Sequence, residues 1–270
     1  MKRYWDIKVM HVKITYLDTA MAIIEIGSLR LLTDPVLDDA GTKYDDGVIA
    51  LEKTTPSAMS VDELGRIDAV LLSHDQHSDN LDTRGRELLT RIPLILTTPE
   101  AARRLGANAT GLEPWQQSTI TGADGFAITV TAAPAQHGPD GTQDLTGPVT
   151  GFLIDWDERT AQGPIYISGD TVPFDGTIEI AERAAPVSLA LLHIGHVSPG
   201  PDAGIHLSLS AVEAIKYAND LRADVVVPLH FEGWKHFSEE SGAAFETFQN
   251  SDFSTKTHWL KQRESLELDL

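Results

Sequence analysis

The hydrophobic and polar positions of the first third of the chain follow the two-residue period of β-strands. Residues 7–16 alternate roughly between apolar and polar side chains. Two apolar runs follow at residues 22–26 and 29–32, separated by Gly27 and Ser28, which is typical of a β-hairpin. The pattern predicts strands here, ending at Asp34-Pro35, and an Asp-rich loop to about residue 52.

After residue 60 the pattern changes to strands that alternate with helices. Ser60 and Glu63, and later Ser210 and Glu213, have the spacing of a capping box, so each pair predicts a helix start. The predicted strands cover residues 69–72, 94–97, 127–132, 151–155, 165–167, 189–192 and 225–229. The predicted helices cover residues 83–91, 99–105, 177–184, 210–221 and 240–249. No linker or low-complexity segment divides the chain, which favours one α/β domain with mixed sheets over residues 1–270.

Composition and charge narrow the function classes. The 270 residues are 41% hydrophobic, as in an ordinary globular protein. The formal net charge of -19 and the lack of a basic cluster argue against nucleic acid and against stable membrane association. The N-terminus lacks the apolar core of a signal peptide, and no long apolar stretch follows. We therefore expect a cytoplasmic enzyme with a small-molecule substrate, whose oligomeric state the sequence does not indicate.

Four of the predicted strands end at a side chain that can bind a metal. These side chains are His74, His137, Asp170 and His230. Ligands in α/β proteins bind beyond strand ends, and a strand holds the residue that follows it firmly. The chain has no cysteine, so any metal must be held by His, Asp, Glu or Asn.

The densest cluster of such residues lies in the loop after the first of these strands. His74, His77 and Asp79 place two imidazoles and a carboxylate within six residues. This ligand set suits zinc, and also manganese or iron. A polar surface loop is the alternative for this segment alone, but the three other strand endings favour a metal site.

Taken in order, these motifs resemble the metallo-β-lactamase superfamily. The motifs are the His-rich loop with Asp-Asn-Leu-Asp at 79–82, a lone histidine, Ser-Gly-Asp-Thr at 168–171 and Pro-Leu-His at 228–230. The branch that includes L-ascorbate-6-phosphate lactonase and N-acyl phosphatidylethanolamine phospholipase D is the most similar, over about residues 14–236. The resemblance implies a four-layer αββα sandwich of two mixed sheets flanked by helices. It also implies a metal-dependent hydrolase, lactonase-like, that cleaves a small ester, lactone or phosphodiester at a mono- or dinuclear centre.

The resemblance also implies the ligand set, in a groove along the shared edge of the two sheets. The first metal would be held by His74, His77 and His137, the second by Asp79, Asn80 and His230, with Asp170 bridging both. Zinc is the expected metal, in one or two ions, with manganese as an alternative and iron as a weaker one. Asp79 would also orient the attacking water or accept its proton.

The chain departs from the family pattern at three places. The family has one residue between its first two histidines, whereas Asp75 and Gln76 stand here, and an ungapped alignment would make Gln76 a ligand. We prefer His77 because it keeps the family spacing to Asp79. Asn80 replaces a histidine, and an amide oxygen is the weaker ligand for a zinc-like ion, so the second site is expected to be weak or selective for a harder ion. Residues 17–20 read Leu-Asp-Thr-Ala in place of the family's Gly-His-Ala-Thr.

Other groups are candidates for contact with the substrate. His206 precedes the second capping box and would protonate a leaving group or hold the substrate oxyanion, although a surface histidine is as good an interpretation. His196, Trp234 and His236 would line the groove, while aromatic residues in such loops often only pack. The alternative function is a non-hydrolytic metal-binding or redox variant of the same fold, which iron content and a visible absorption band would reveal.

Overall fold

The computed structural model describes residues 9–45, 47, 49–156, 163–200 and 203–270. The strands are β1 (His11–Asp18), β2 (Met21–Ile26), β3 (Leu29–Thr33), β4 (Lys43–Asp45), β5 (Ala50–Glu52), β6 (Ala69–Leu71), β7 (Ile95–Thr97), β8 (Ala109–Gly111), β9 (Gln117–Thr121), β10 (Ala127–Pro134), β11 (Thr150–Asp155), β12 (Ile165–Ile167), β13 (Leu189–His193), β14 (Val225–Leu229) and β15 (Ser265–Asp269). The helices are α1 (Val61–Leu64), α2 (Thr83–Leu89), α3 (Pro99–Leu105), α4 (Gln143–Thr146), α5 (Asp175–Ala184), α6 (Ala211–Asp220) and α7 (Ser241–Gln249).

Two large mixed sheets form the centre of the molecule. The first has seven strands in the order β15-β1-β2-β3-β6-β7-β8, antiparallel up to β3 and parallel beyond it. The second has six strands in the order β14-β13-β12-β11-β10-β9, parallel up to β12 and antiparallel beyond it. β4 and β5 form a separate small hairpin.

The two-residue period of β2 explains how the first sheet is covered on both faces. Ile24 and Ile26 pack into the core between the sheets, whereas Ile23 faces the opposite side with Leu88 of α2. Tyr217 of α6 packs on the second sheet. The result is two mixed sheets flanked by helices, which confirms the predicted fold class. Among the described residues, no helix is both long and apolar enough to cross a membrane.

Local signals located the predicted elements well. Both capping boxes are present, with Ser60 and Ser210 as the N-cap residues. The predicted hairpin is β2–β3, and the predicted strand at 7–16 is β1, with residues 7 and 8 outside the described part of the chain. The prediction missed β8, β9 and β15, and the segment predicted as an Asp-rich loop contains the hairpin β4–β5. These strands have three to five residues, too short for a clear period.

Candidate metal centre

The four strand endings meet at one end of the sandwich, where the two sheets lie side by side. His74 follows β6 of the first sheet, while His137, Asp170 and His230 follow β10, β12 and β14 of the second. All four residues are buried. The candidate ligand atoms form two groups, His74, His77 and His137 in one and Asp79, Asp170 and His230 in the other, and within each group they lie within 4.8 Å of one another.

Three ring nitrogens converge in the first group. His77 Nδ1 lies 3.2 Å from His74 Nε2 and 2.9 Å from His137 Nε2. Around a tetrahedral ion with bonds of about 2.0 Å, neighbouring ligand atoms are about 3.3 Å apart. The observed separations are thus close to those of atoms around one ion.

The outer hydrogen bond of His137 leaves a lone pair of its ring facing inward. His137 Nδ1 donates to the carbonyl oxygen of Leu207 at 2.7 Å, so in the neutral ring Nε2 carries a lone pair. Burial lowers the pKa of all three histidines, that of His137 to about 4. Neutral rings with converging lone pairs are the chemistry of a cation site, and the outer hydrogen bond fixes the tautomer that such a site needs.

In the second group, one ring nitrogen lies close to two carboxylates. His230 Nε2 lies 3.2 Å from Asp79 Oδ2 and 3.3 Å from Asp170 Oδ2, and His230 Nδ1 donates to the carbonyl of Ile194 at 3.1 Å. Because both carboxylates only accept, Nε2 needs a proton or a metal cation between itself and them. Burial lowers the pKa of His230, but the charges of Asp170 and Asp79 outweigh it and raise that pKa to about 9.

Asp170 lies between the two groups. Its Oδ2 is 3.9 Å from His137 Nε2 and 3.3 Å from His230 Nε2, so one carboxylate oxygen faces both groups. Its Oδ1 accepts a hydrogen bond from His193 Nδ1 at 2.9 Å. Burial raises the pKa of Asp170, but His230 and the bond from His193 outweigh it and keep the carboxylate ionised.

The side chains of the two residues between His74 and His77 are directed away from the histidine cluster. Gln76 Nε2 donates to the carbonyl oxygens of Thr146 and Pro148 at 3.0 and 2.7 Å. The carboxylate of Asp75 is paired with Arg104, whose Nε lies 2.9 Å from Oδ2. The structure therefore brings His77, and not Gln76, to the other two histidines.

Asn80 is fully buried beside the second group, with its amide among carboxylates. Its Nδ2 lies 3.4 Å from Asp34 Oδ2 and 3.5 Å from Asp170 Oδ1. With the amide turned by 180°, its nitrogen instead donates to Asp79 Oδ1 at 3.2 Å and to Asp170 Oδ2 at 3.3 Å. In both orientations the NH₂ group is directed at carboxylate oxygens.

Sequence reasoning missed Asp34, a further buried carboxylate at this centre. Its Oδ1 accepts the backbone N–H of Ser73 at 2.6 Å, directly before His74. Burial raises the pKa of Asp34 to about 8. The available signal was the same as for the other strand endings, because β3 ends at Thr33.

The candidates for substrate contact are divided between three places. His236 lies at the centre, with Nε2 2.8 Å from Asp79 Oδ2, and lines a cavity of about 20 Å³ together with His77 and His137. Trp234 is only 4% exposed and packs in the core on the outer face of the first sheet, with Lys53 Nζ 4.9 Å from its ring.

His196 and His206 lie next to each other, and neither of them lines the small cavity at the centre. Their ring centroids are 4.5 Å apart, and His206 Nε2 is 3.0 Å from Glu213 Oε1. His206 lines a larger cavity of about 650 Å³ with Gln136 and Phe174. This cavity is next to the candidate metal centre in the sequence, because Gln136, which lines the cavity, directly precedes His137.

A buried ion pair occupies the place of the family's Gly-His-Ala-Thr. Lys53 Nζ lies 2.6 Å from Asp18 Oδ2, and both side chains are 0% exposed. The carbonyl of the next residue, Thr19, accepts the backbone N–H of His230 at 2.6 Å. The pair thus supports the segment that carries a candidate ligand.

Comparison with known proteins agrees with the fold and with a metal-dependent hydrolase. A family model described as a beta-lactamase superfamily domain matches residues 29–231, well over half of the chain. A UPF0173 metal-dependent hydrolase from Pyrococcus abyssi is 26% identical over 231 residues, which cover 85% of this chain and 88% of the relative. Its name agrees with the enzyme class predicted from the sequence.

Solved structures share the fold at lower identity. An isothiocyanate hydrolase from Delia radicum gut bacteria has a TM-score of 0.78 at 20% identity, covering 96% of this chain and 100% of that one. A diiron β-hydroxylase from Streptomyces venezuelae has a TM-score of 0.66 at 17% identity, covering 97% of this chain and 54% of that one. From the family match, the chain belongs to the beta-lactamase superfamily.

Proposed function

We propose that this protein is a metal-dependent hydrolase that activates water at a His/Asp centre to cleave a small ester, lactone or phosphodiester. The observation that carries the proposal is the convergence of the two groups of candidate ligands at the ends of strands from both sheets. The hydrolase names of relatives that match over most of the chain add support.

The first ion would be held by His74 Nε2, His77 Nδ1 and His137 Nε2, and the second by Asp79 and His230, with Asp170 shared. Imidazole and carboxylate ligands suit zinc best and manganese next. Divalent ions of this kind make water available as a nucleophile near pH 7 and polarise a carbonyl or phosphoryl oxygen.

Asp79 is the group that we assign to the proton of the attacking water. Burial alone would raise its pKa, but His236 and the hydrogen bonds from His230 and His236 hold that pKa well below its usual range. The carboxylate is therefore ionised and can orient the attacking water by accepting a hydrogen bond from it. His193 keeps Asp170 in place from the other side.

The cavity beside His206 is the place that we assign to the rest of the substrate. His206 there would donate a proton to a leaving group or hold an oxyanion, with Glu213 orienting its ring. Asp140, Asp175 and Glu213 also line this cavity. Their charges favour a neutral ester or lactone over a phosphodiester.

The experiment is elemental analysis of the purified protein, followed by a panel of lactones, esters and phosphodiesters with zinc or manganese added. We expect bound metal, and we expect His74→Ala and Asp170→Ala to lose it together with hydrolysis. His11→Ala, which removes an exposed histidine on β1, is the matched control. Unchanged metal content in both variants would refute the ligand assignment. Bound iron with a visible absorption band and no hydrolysis of the panel would favour the redox variant instead.

A further inference from the structure

We infer that His236 supplies the nitrogen ligand that position 80 lacks, and that Asn80 braces the surrounding carboxylates instead of binding the second ion. The inference rests on the proposed function, because it concerns how the same centre holds its second metal. It replaces the sequence-based assignment of Asn80 as a ligand and changes the role expected of His236 from substrate contact to metal binding.

The surroundings of Asn80 are those of a hydrogen-bond donor. Carboxylates lie at both ends of the amide, Asp34 at one and Asp79 at the other, with Asp170 within reach of both. An NH₂ group directed at Asp79 or Asp170 gains a hydrogen bond to a charged acceptor, which is stronger than a neutral one. The amide also separates carboxylates that would otherwise repel one another in a buried site.

The backbone holds His236 rigidly. The N–H of Lys235 donates to the carbonyl of Glu52 at 3.0 Å, and the N–H of Ser238 donates to the carbonyl of Gly195 at 3.1 Å. The ring packs against Phe237 with centroids 4.5 Å apart and is 2% exposed. A side chain fixed in this way has the preorganisation that a metal ligand needs.

The Nε2 atom of the His236 ring faces the second group of candidate ligands. His236 Nε2 is 2.8 Å from Asp79 Oδ2, and the same oxygen is 3.2 Å from His230 Nε2. Each of the two ring nitrogens is therefore close enough to this carboxylate oxygen for an ion to bind both atoms of the pair. His236 also lines the cavity into which Asp79 and Asp170 face.

With His236, the two groups acquire equal numbers of ligands. Three side chains, His74, His77 and His137, would belong to the first ion. Three others, Asp79, His230 and His236, would belong to the second, and Asp170 would be shared. Without His236 the second ion would have three side chains, Asp79, His230 and the shared Asp170, one fewer than the first ion.

The alternative role for His236 is to orient Asp79 through a hydrogen bond alone. The variant His236→Gln distinguishes the two roles. The amide of His236→Gln can still donate to Asp79 but is a poor ligand for zinc. A positioning role therefore survives this substitution, whereas a ligand role does not.

The test is zinc stoichiometry and affinity of the full chain, measured by elemental analysis and by competition with a chelating dye. We expect two ions in the wild type and in His11→Ala, and one in His236→Ala and His236→Gln. Loss of a ligand should weaken the second site by more than the 10–100-fold typical of outer hydrogen-bond partners. The double variant Asn80→His/His236→Ala restores the family's histidine and should regain the second ion.

Two ions bound at wild-type affinity by His236→Gln would overturn the inference, as would a single ion in the wild type. Neither result would affect the proposed hydrolase, which a mononuclear centre can support. A wild-type protein that binds no metal at all would overturn the proposed function and the inference together. Circular dichroism and urea unfolding of each variant establish that loss of metal is not loss of fold.

Discussion

Replacing Lys53 with methionine tests the buried ion pair that stands in place of a family motif. Lys53 Nζ is 2.6 Å from Asp18 Oδ2, and neither side chain is exposed. Asp18 has further contacts with Thr19 Oγ1 and Thr55 Oγ1 at 3.3 and 3.4 Å. Burial already raises the pKa of Asp18 against the effect of Lys53, so the carboxylate depends on its partner to stay ionised.

The expected loss of stability depends on the charge of Asp18, which Lys53→Met leaves without a partner. Methionine keeps most of the apolar stem of lysine, so the change removes the charge with little change in volume. Leaving one charge of a buried pair unpaired costs about 3–5 kcal/mol, a large part of the roughly 5–15 kcal/mol that stabilises a native domain. Removing both charges in Asp18→Asn/Lys53→Met should recover most of this loss, because no buried charge is left.

Urea unfolding of the metal-free proteins measures the effect without a contribution from bound ions. Lys235→Met is the matched control, because Lys235 forms an ion pair of the same length, 2.6 Å, with Glu52, but its side chain is 61% exposed. A surface pair of this kind contributes about 0–1 kcal/mol. Equal losses in the two lysine variants would refute the reasoning, and so would a double variant as unstable as Lys53→Met alone.

Three further predictions concern the centre and the helix beside it. His193→Ala should weaken metal binding about 10–100-fold, because Asp170 loses the donor that orients it; unchanged affinity in a chelator competition would contradict this role. Ser210→Ala should lower the free energy of unfolding by about 1 kcal/mol through loss of the N-cap of α6, and Ser60→Ala, at a helix of four residues, should cost less in the same urea experiment. Dialysis against a chelator should lower the melting temperature, and zinc at about 100 times its Kd should raise the free energy of unfolding again by about 2.7 kcal/mol. A thermal unfolding curve that does not respond to zinc would argue against a native metal site.

The sequence by itself determined the features that depend on neighbouring residues. The apolar run of β2 follows from the burial of both its faces, and the capping boxes at Ser60 and Ser210 are hydrogen bonds between residues three positions apart. The strand endings at His74 and His230 combine an apolar run with one polar side chain, so their chemistry could be predicted from single segments.

Only the tertiary structure decided which distant groups meet. His236 contacts Asp79 across 157 positions, and β15 pairs with β1 across the whole chain. Which of Gln76 and His77 faces the cluster depends on the carbonyls of residues 146 and 148, which no pattern near the loop records. The physical reason is that the spacing of apolar residues shows only which faces of a segment are buried. The partner of a buried polar group is set by the order of the strands in the two sheets, which no single segment of the sequence contains.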